Sequence, residues 1–341
     1  MFSKLMRKTV SATTNSGKTL AHVSLSSLTV LVLLTSQTAA QSFFFSTGNP
    51  DGRIATGSRP GPGPGSGPNQ ETESADDFVL TAQTAITSAS FTGLVPSGVS
   101  LGNVSEVRVE IYRVFPKDSD VGRTSGPPTF STSQVPTRVN SPSDVEFFDR
   151  DTADGNLTFT TTLLASNFTA LKNVDTGIHV MAGGDGPVTG QEVRFDVTFT
   201  NPFELPADHY FFVPQVLLSN PNNHFLWLSA PRPIVAPGTP FPAGFTDLQE
   251  WIRNADLDPD WLRVGTDIVG GTTFNATFSE AGIELPSCSG PASGGTWRNH
   301  GQYVSTVAKL VASFVQQGFI TDDQADAIVS FAAESDCGAK K

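Results

Sequence analysis

From Glu71 to about Leu285, apolar side chains recur at every second position. Val107, Val109 and Ile111 alternate with Arg108, Glu110 and Tyr112 in EVRVEIYRV, and Val193, Phe195, Val197 and Phe199 alternate with Arg194, Asp196, Thr198 and Thr200 in EVRFDVTFT. A period of two gives each segment one oily face and one wet face, so each must lay its oily face on another. TFNATFS repeats the pattern with Phe274, Ala276 and Phe278, and NLTFTTTLL, HYFFVPQVLL and HFLWLSA add runs rich in β-branched and aromatic residues. Phe225 and Trp227 share one strand face in the last of these and are expected in the core. Turn formers separate the runs: SGPP, SPSD, GGDGP and SNPNN. Short one-faced strands without long helices between them predict a mainly β fold, an antiparallel jelly-roll-like β-sandwich over 71–285.

Two stretches break this period. TDLQEWIRNA places Gln249 three residues after Thr246, the spacing of a capping box, which predicts a short helix there with DLDPDWL as a following loop. The C-terminal stretch changes period altogether. Val304, Val307, Ala308, Val311, Ala312 and Val315 fall on one helical stripe, with Asn299 as N-cap, Trp297 packing back on Val304 or Tyr303, and Gly318 as the stop. Thr321 then caps a second helix with Gln324 three residues on, its inner face formed by Ala325, Ile328, Val329 and Ala332. A small C-terminal α-helical hairpin over 299–341, joined by a linker at 286–298, is too small to stand alone. The only two cysteines, Cys288 and Cys337, bracket it. An even count in an exported chain favours a disulfide between them.

Residues 1–40 carry Lys4, Arg7, Lys8 and Lys18 without an acid, then the apolar run SLTVLVLL and the small-residue site Thr38-Ala39-Ala40. The apolar run is about half of the ~20 residues a spanning helix needs, so these residues read as a signal peptide cleaved near Gln41, and nothing later approaches the length of a span. Residues 41–70 read as an N-terminal strand, SFFFS, followed by the Pro/Gly-rich stretch from Pro60 to Gln70, a tether or exposed loop. The full chain has 21 Lys and Arg against 33 Asp and Glu, a net charge of −12; without the leader's four cations it is 17 against 33, or −16. Such a field repels polyanions, which argues against nucleic acid as a partner.

The segments ESADDFVL, EIYRVFPKDSDVGRTSGPPTFSTSQVPTRVNSPSDVEF, LPADHYFF and FLWLSAP resemble a group of exported bacterial proteins built on a jelly-roll domain, and GGTWRNHGQYVS through AAESDCG resembles a short module that ends other exported bacterial proteins. The resemblance covers most of the chain beyond the leader. It implies an extracellular bacterial protein and carries no catalytic residue. In that setting the sequons at Asn103, Asn156, Asn167 and Asn275 are chance occurrences.

Three constellations could carry chemistry. In DRDTADGN, Asp149, Asp151, Asp154 and Asn156 could converge on Ca2+, a hard ion that takes oxygen ligands; the competing reading is a polar hairpin in which Asp and Asn bond their own backbone and Gly155 takes a positive φ. KDSD, Lys117 to Asp120, is a weaker version. In WIRNADLDPDW, Trp251 and Trp261 could stack on sugar rings while Asp256, Asp258 and Asp260 accept from hydroxyls, or the tryptophans could plug this segment onto the sheet. His300 could serve as a ligand or base, or simply fill the first turn of its helix. His179, His209, His224 and His300 fall in no HExxH or paired-metal spacing, and no GxSxG accompanies them. The expectation is a secreted, non-enzymatic binding or structural module for an extracellular glycan or surface protein, with Ca2+ as a possible cofactor. The alternative is a secreted carbohydrate-active hydrolase using Asp or Glu pairs.

Overall fold

A computed structural model describes residues 41–61, 70–119 and 135–339. The leader, most of the Pro/Gly stretch, Asp120 and the whole of the GRTSGPPTFSTS motif lie outside the described residues. In chain order the strands are β1 (Ser42–Ser46), β2 (Ile54–Gly57), β3 (Thr72–Leu80), β4 (Thr84–Pro96), β5 (Val104–Arg113), β6 (Phe148–Asp151), β7 (Leu157–Ala170), β8 (Lys172–Val174), β9 (Val188–Leu205), β10 (Asp208–Leu218), β11 (Leu226–Ala230), β12 (Trp251–Asn254), β13 (Leu262–Arg263), β14 (Asn275–Ala276) and β15 (Phe278–Glu284). Two helices follow, α1 (His300–Gln316) and α2 (Asp322–Glu334).

The strands form two sheets. The first runs β1-β15-β4-β11-β2-β8, with β9 also on β4, β7 on β9 and β14 on β11; the second runs β13-β12-β3-β10-β5-β6. All pairs are antiparallel except β2 with β8. The pairings nest. Innermost is β7 with β9 in the first sheet, then β5 with β10 in the second, β4 with β11 in the first, and β3 with β12 in the second. A ribbon whose successive rungs alternate between two layers is the wrapping of a jelly roll, so the expected β-sandwich is the observed one.

The alternation in the sequence marks the side chains between the layers. Phe78, Val107, Val109, Ile111, Tyr210 and Phe212 from the second sheet meet Phe91, Val193, Phe195, Val197 and Trp227 from the first. Phe91 stacks on Phe195 at 5.0 Å within the first sheet, and Phe212 stacks on Phe278 at 5.0 Å across the layers. Phe225 and Trp227 are fully buried, as expected. Arg59 and Thr72, which flank the Pro/Gly stretch, exchange both backbone hydrogen bonds, at 2.8 and 3.0 Å, so its two ends are held side by side.

The helix expected at Thr246 is absent. Trp251–Asn254 instead forms β12, pairing Trp251 with Ala75, Ile252 with Ser74, Arg253 with Glu73 and Asn254 with Thr72. All four of its residues are buried, which one face of a surface helix cannot achieve. The Leu248 N–H that a capping box would leave inside a helix donates to Asp77, at 3.1 Å. Pairing with β3 therefore overrides the local capping signal.

The helical hairpin is present as expected. Asn299 Oδ1 accepts the Gln302 N–H at 2.9 Å, and Trp297 meets Tyr303 edge-on at 5.5 Å. Gly318, at φ 74°, follows the end of α1 and lets the Phe319 N–H reach the Phe314 carbonyl, with the two rings 5.8 Å apart. Thr321 and Gln324 close a full capping box. Gln324 does more than cap: its amide also donates to the Thr87 and Phe199 carbonyls at 3.0 and 2.8 Å, fixing α2 to the first sheet. The helices bury Tyr303, Val307, Val311, Phe314 and Ile328 against Ala85, Ile283 and Leu285 of that sheet. Cys288 and Cys337 are joined in a disulfide that spans 49 residues. Among the described residues no helix is long and apolar enough to cross a membrane. On the loop-entropy account, removing the bridge costs ~4 kcal/mol. Cys288→Ser with Cys337→Ser should therefore lower the denaturation midpoint clearly, and oxidised wild type titrated with a reductant should follow the same curve.

Candidate functional site

The second sheet is buried on both sides. Its outward residues Ala75, Tyr112, Phe211, Val213 and Trp251 pack with Leu248 and Trp261, brought over by the irregular segments that follow β11. Trp251 and Trp261 are 1% and 0% exposed, and the Trp261 Nε1–H donates to the Ser143 carbonyl at 3.0 Å. The sugar-stacking reading of these rings is corrected: they are plugs, with no face available to a ligand. Asp260 is equally buried and pairs with Arg138 at 2.8 Å, while Asp256 is exposed.

The calcium reading is corrected as well. Asp151 Oδ1 accepts the Asp154 N–H at 2.6 Å, Asn156 Oδ1 accepts the Asp151 N–H at 2.7 Å, and Gly155 has φ 72°. Asp149 sits in β6 opposite Glu110. The loop satisfies itself as a polar hairpin, and among the described residues no group of three His, Cys, Asp or Glu side chains is placed to hold a metal ion. In KDSD, Lys117 pairs with Asp208 and Asp118 with Arg113. His300 places both ring nitrogens against carbonyl oxygens, Nδ1 at 2.8 Å from Cys337 and Nε2 at 3.1 Å from Ala333. It ties the start of α1 to the end of α2, leaving no ring nitrogen for a substrate.

What the structure does bring together is a cleft of about 360 Å3 at the edge of the cover, lined by Glu71, Glu73, Arg108, Glu110, Tyr112, Asp144, Val145, Glu146, Arg253, Ala255 and Asp258. Of the residues singled out in the sequence, only Asp258 reaches it. The floor is one hydrogen-bonded network. Arg253 grips both oxygens of Glu73, with Nη2 2.9 Å from Oε1, and Nη2 also donates to the Tyr112 hydroxyl at 2.8 Å. That hydroxyl lies 2.8 Å from Glu73 Oε1 and 3.0 Å from Glu110 Oε2. Arg253 is itself sandwiched over the Trp261 ring at 4.5 Å and reaches Asp258 at 3.2 Å. On the rim, Arg108 stands 3.7 Å from both Glu71 and Glu110 and 3.1 Å from Glu106.

Burial and the neighbouring Glu73 charge push the Glu110 carboxyl well above the usual range. Burial pushes Glu73 up too, but the charge and hydrogen bonds of Arg253 more than offset it, so Glu73 ends below its ordinary value. The two neighbouring carboxyls are thus pushed in opposite directions, Glu110 toward keeping its proton and Glu73 toward losing it. Glu71 on the rim is also pushed up, mainly by burial. Such a floor can accept and donate to hydroxyl groups and is held rigid by its own bonds.

These residues escaped the sequence reading because Arg108, Glu110 and Tyr112 stand on the polar side of an alternating strand. That side looked solvent-facing, yet Glu110 and Tyr112 are 6% and 1% exposed. The signal available was ESADDFVL, a strand-like run whose acids occupy both faces. Comparison with known proteins returns no match: no family model fits the chain, and neither a curated protein nor a solved structure aligns with it.

Two outcomes follow from the buried charges. Replacing Arg253 with Met leaves Glu73 buried and uncompensated, which should cost about 3–5 kcal/mol in chemical denaturation, and adding Glu73→Gln should recover much of the loss. Glu204 and Glu250, raised by burial to about 8 from 4.5, keep their protons when folded and lose them when unfolded between those values. Unfolding releases protons across that window, so stability should fall as pH rises from 5 to 8, and Glu250→Gln should flatten the profile.

Proposed function

We propose that this chain is an exported, non-enzymatic binding module of the cell surface or extracellular space, and that its charged cleft takes a hydroxyl-rich ligand, a glycan. The cleft carries the reading. Its floor is pre-organised by Arg253, Glu73, Tyr112 and Glu110, while Glu146 and Asp258 stand exposed and Arg108 half-buried around it. Carboxylates and a guanidinium side by side can accept from and donate to adjacent sugar hydroxyls, the pattern that fixes polyols in concave sites. The basic and apolar leader, the disulfide and the resemblance to exported bacterial proteins support the extracellular placement.

A second reading rests on the neighbouring carboxyls of Glu73 and Glu110, which their surroundings push in opposite directions. Two carboxyls held at different pKa values are the parts of acid–base hydrolysis. Against it, Arg253 grips both oxygens of Glu73 and draws its charge away from any substrate.

One set of measurements separates the two. Soluble oligosaccharides titrated into the protein should bind, and Arg108→Ala should weaken that affinity about tenfold, the loss of one charge-assisted hydrogen bond. Incubation with the same panel should release no product. Product that disappears with Glu110→Gln would establish the hydrolase instead, and absence of binding across the panel would remove the glycan reading of the cleft.

A further inference from the structure

The outer face of the first sheet carries two apolar patches, one around Leu94, Leu226 and Leu228 and one under the helices, with a polar part between them. Where β4 and β15 meet the helices it is apolar, with Ala85, Ile283 and Leu285 covered. Beyond the helices it is open, and its side chains are mostly small hydroxyls standing in rows across five strands. One row reads Ser46, Ser279, Ser90, Asp196 and Thr160 along β1, β15, β4, β9 and β7; the next reads Phe44, Ala281, Ser88, Thr198 and Thr158. Thr162 and Arg194 continue the grid on β7 and β9. Strands lie ~4.8 Å apart and successive outward residues ~7 Å apart along each strand, so a row of five reaches about 19 Å.

Two further observations make this more than a wetted surface. Phe44 is 58% exposed and stands at the end of the second row, whereas its neighbours Phe43 and Phe45 pack into the core. Within the grid the face is also neutral: Arg194 and Asp196 pair at 3.0 Å and cancel, on a chain whose net charge is −12. A charged partner would find no net counter-charge within these rows. Hydroxyl groups both donate and accept, as sugar hydroxyls do, and an exposed phenyl ring offers the apolar plane on which a pyranose stacks. Single neutral hydrogen bonds add little, so a grid of them serves a ligand that repeats in register and engages many at once.

We propose that this face binds an uncharged, insoluble polysaccharide, with Phe44 stacking on a sugar ring and the Ser and Thr rows bonding the hydroxyls that repeat along the polymer. It lies on the opposite sheet from the charged cleft, so the two surfaces are separable. The test is sedimentation of the purified protein with microcrystalline cellulose and with chitin. Wild type should leave the supernatant with at least one of them. Phe44→Ala should lower the partition coefficient at least tenfold, and Thr158→Val with Thr160→Val at least threefold, with thermal melting unchanged. Arg108→Ala, on the cleft, should adsorb like wild type. The proposal is overturned if wild type sediments with neither polymer, if Phe44→Ala adsorbs as wild type does, or if Arg108→Ala alone abolishes adsorption.

Discussion

A strand with acids on both faces and no exposed residue needs its charges answered from elsewhere, and β3 is such a strand. Glu73 takes Arg253; Asp77 takes the His209 ring at 2.5 Å and the Leu248 N–H; Asp76 takes the Ala276 N–H at 2.8 Å. Three of these four partners, Arg253, Leu248 and Ala276, come from the segment after β11. Removing an ion from water costs several kcal/mol unless geometry and hydrogen bonds compensate, so the cover over the second sheet has little freedom in where it settles. The same demand shapes the cleft, since its floor is the Glu73 end of that network.

How far the sequence discloses this depends on the range over which each residue's partners lie. The sandwich strands are legible because Val107 to Ile111 and Val193 to Phe199 carry their pattern within a few residues. The helical hairpin is legible for the same reason: Asn299, Gly318, Thr321 and Gln324 act within one turn. Thr246 and Gln249 send an equally local signal that fails, because Trp251–Asn254 answers to β3, far back in the chain. The tryptophans mislead in the same way. Nothing near Trp261 says that Ser143 and Arg253 will enclose it. The cleft stays hidden because Glu73, Arg108, Glu110 and Arg253 converge from three strands and Glu71 from the residue before β3.

The helical hairpin shows how a weak element is made to hold. Its own core is small, and three attachments supplement it: the apolar patch around Ile283, the Gln324 amide on two strand carbonyls, and the disulfide from Cys288 to Cys337. By covering one end of the first sheet it also limits the open part of that face to the hydroxyl-bearing strands. The two proposed binding surfaces thereby fall on opposite layers, one recessed and charged, one flat and neutral.

The nesting of the strands has a consequence for how the chain comes into being. Ser42 pairs with Ile283, so the first strand finds its neighbour only in the last. Pairings this distant along the chain are slow to form, because loop closure must precede any reward from contact. A ribosome must therefore deliver almost every residue before this outermost rung can close, although the inner rungs of both layers need nothing beyond Leu218.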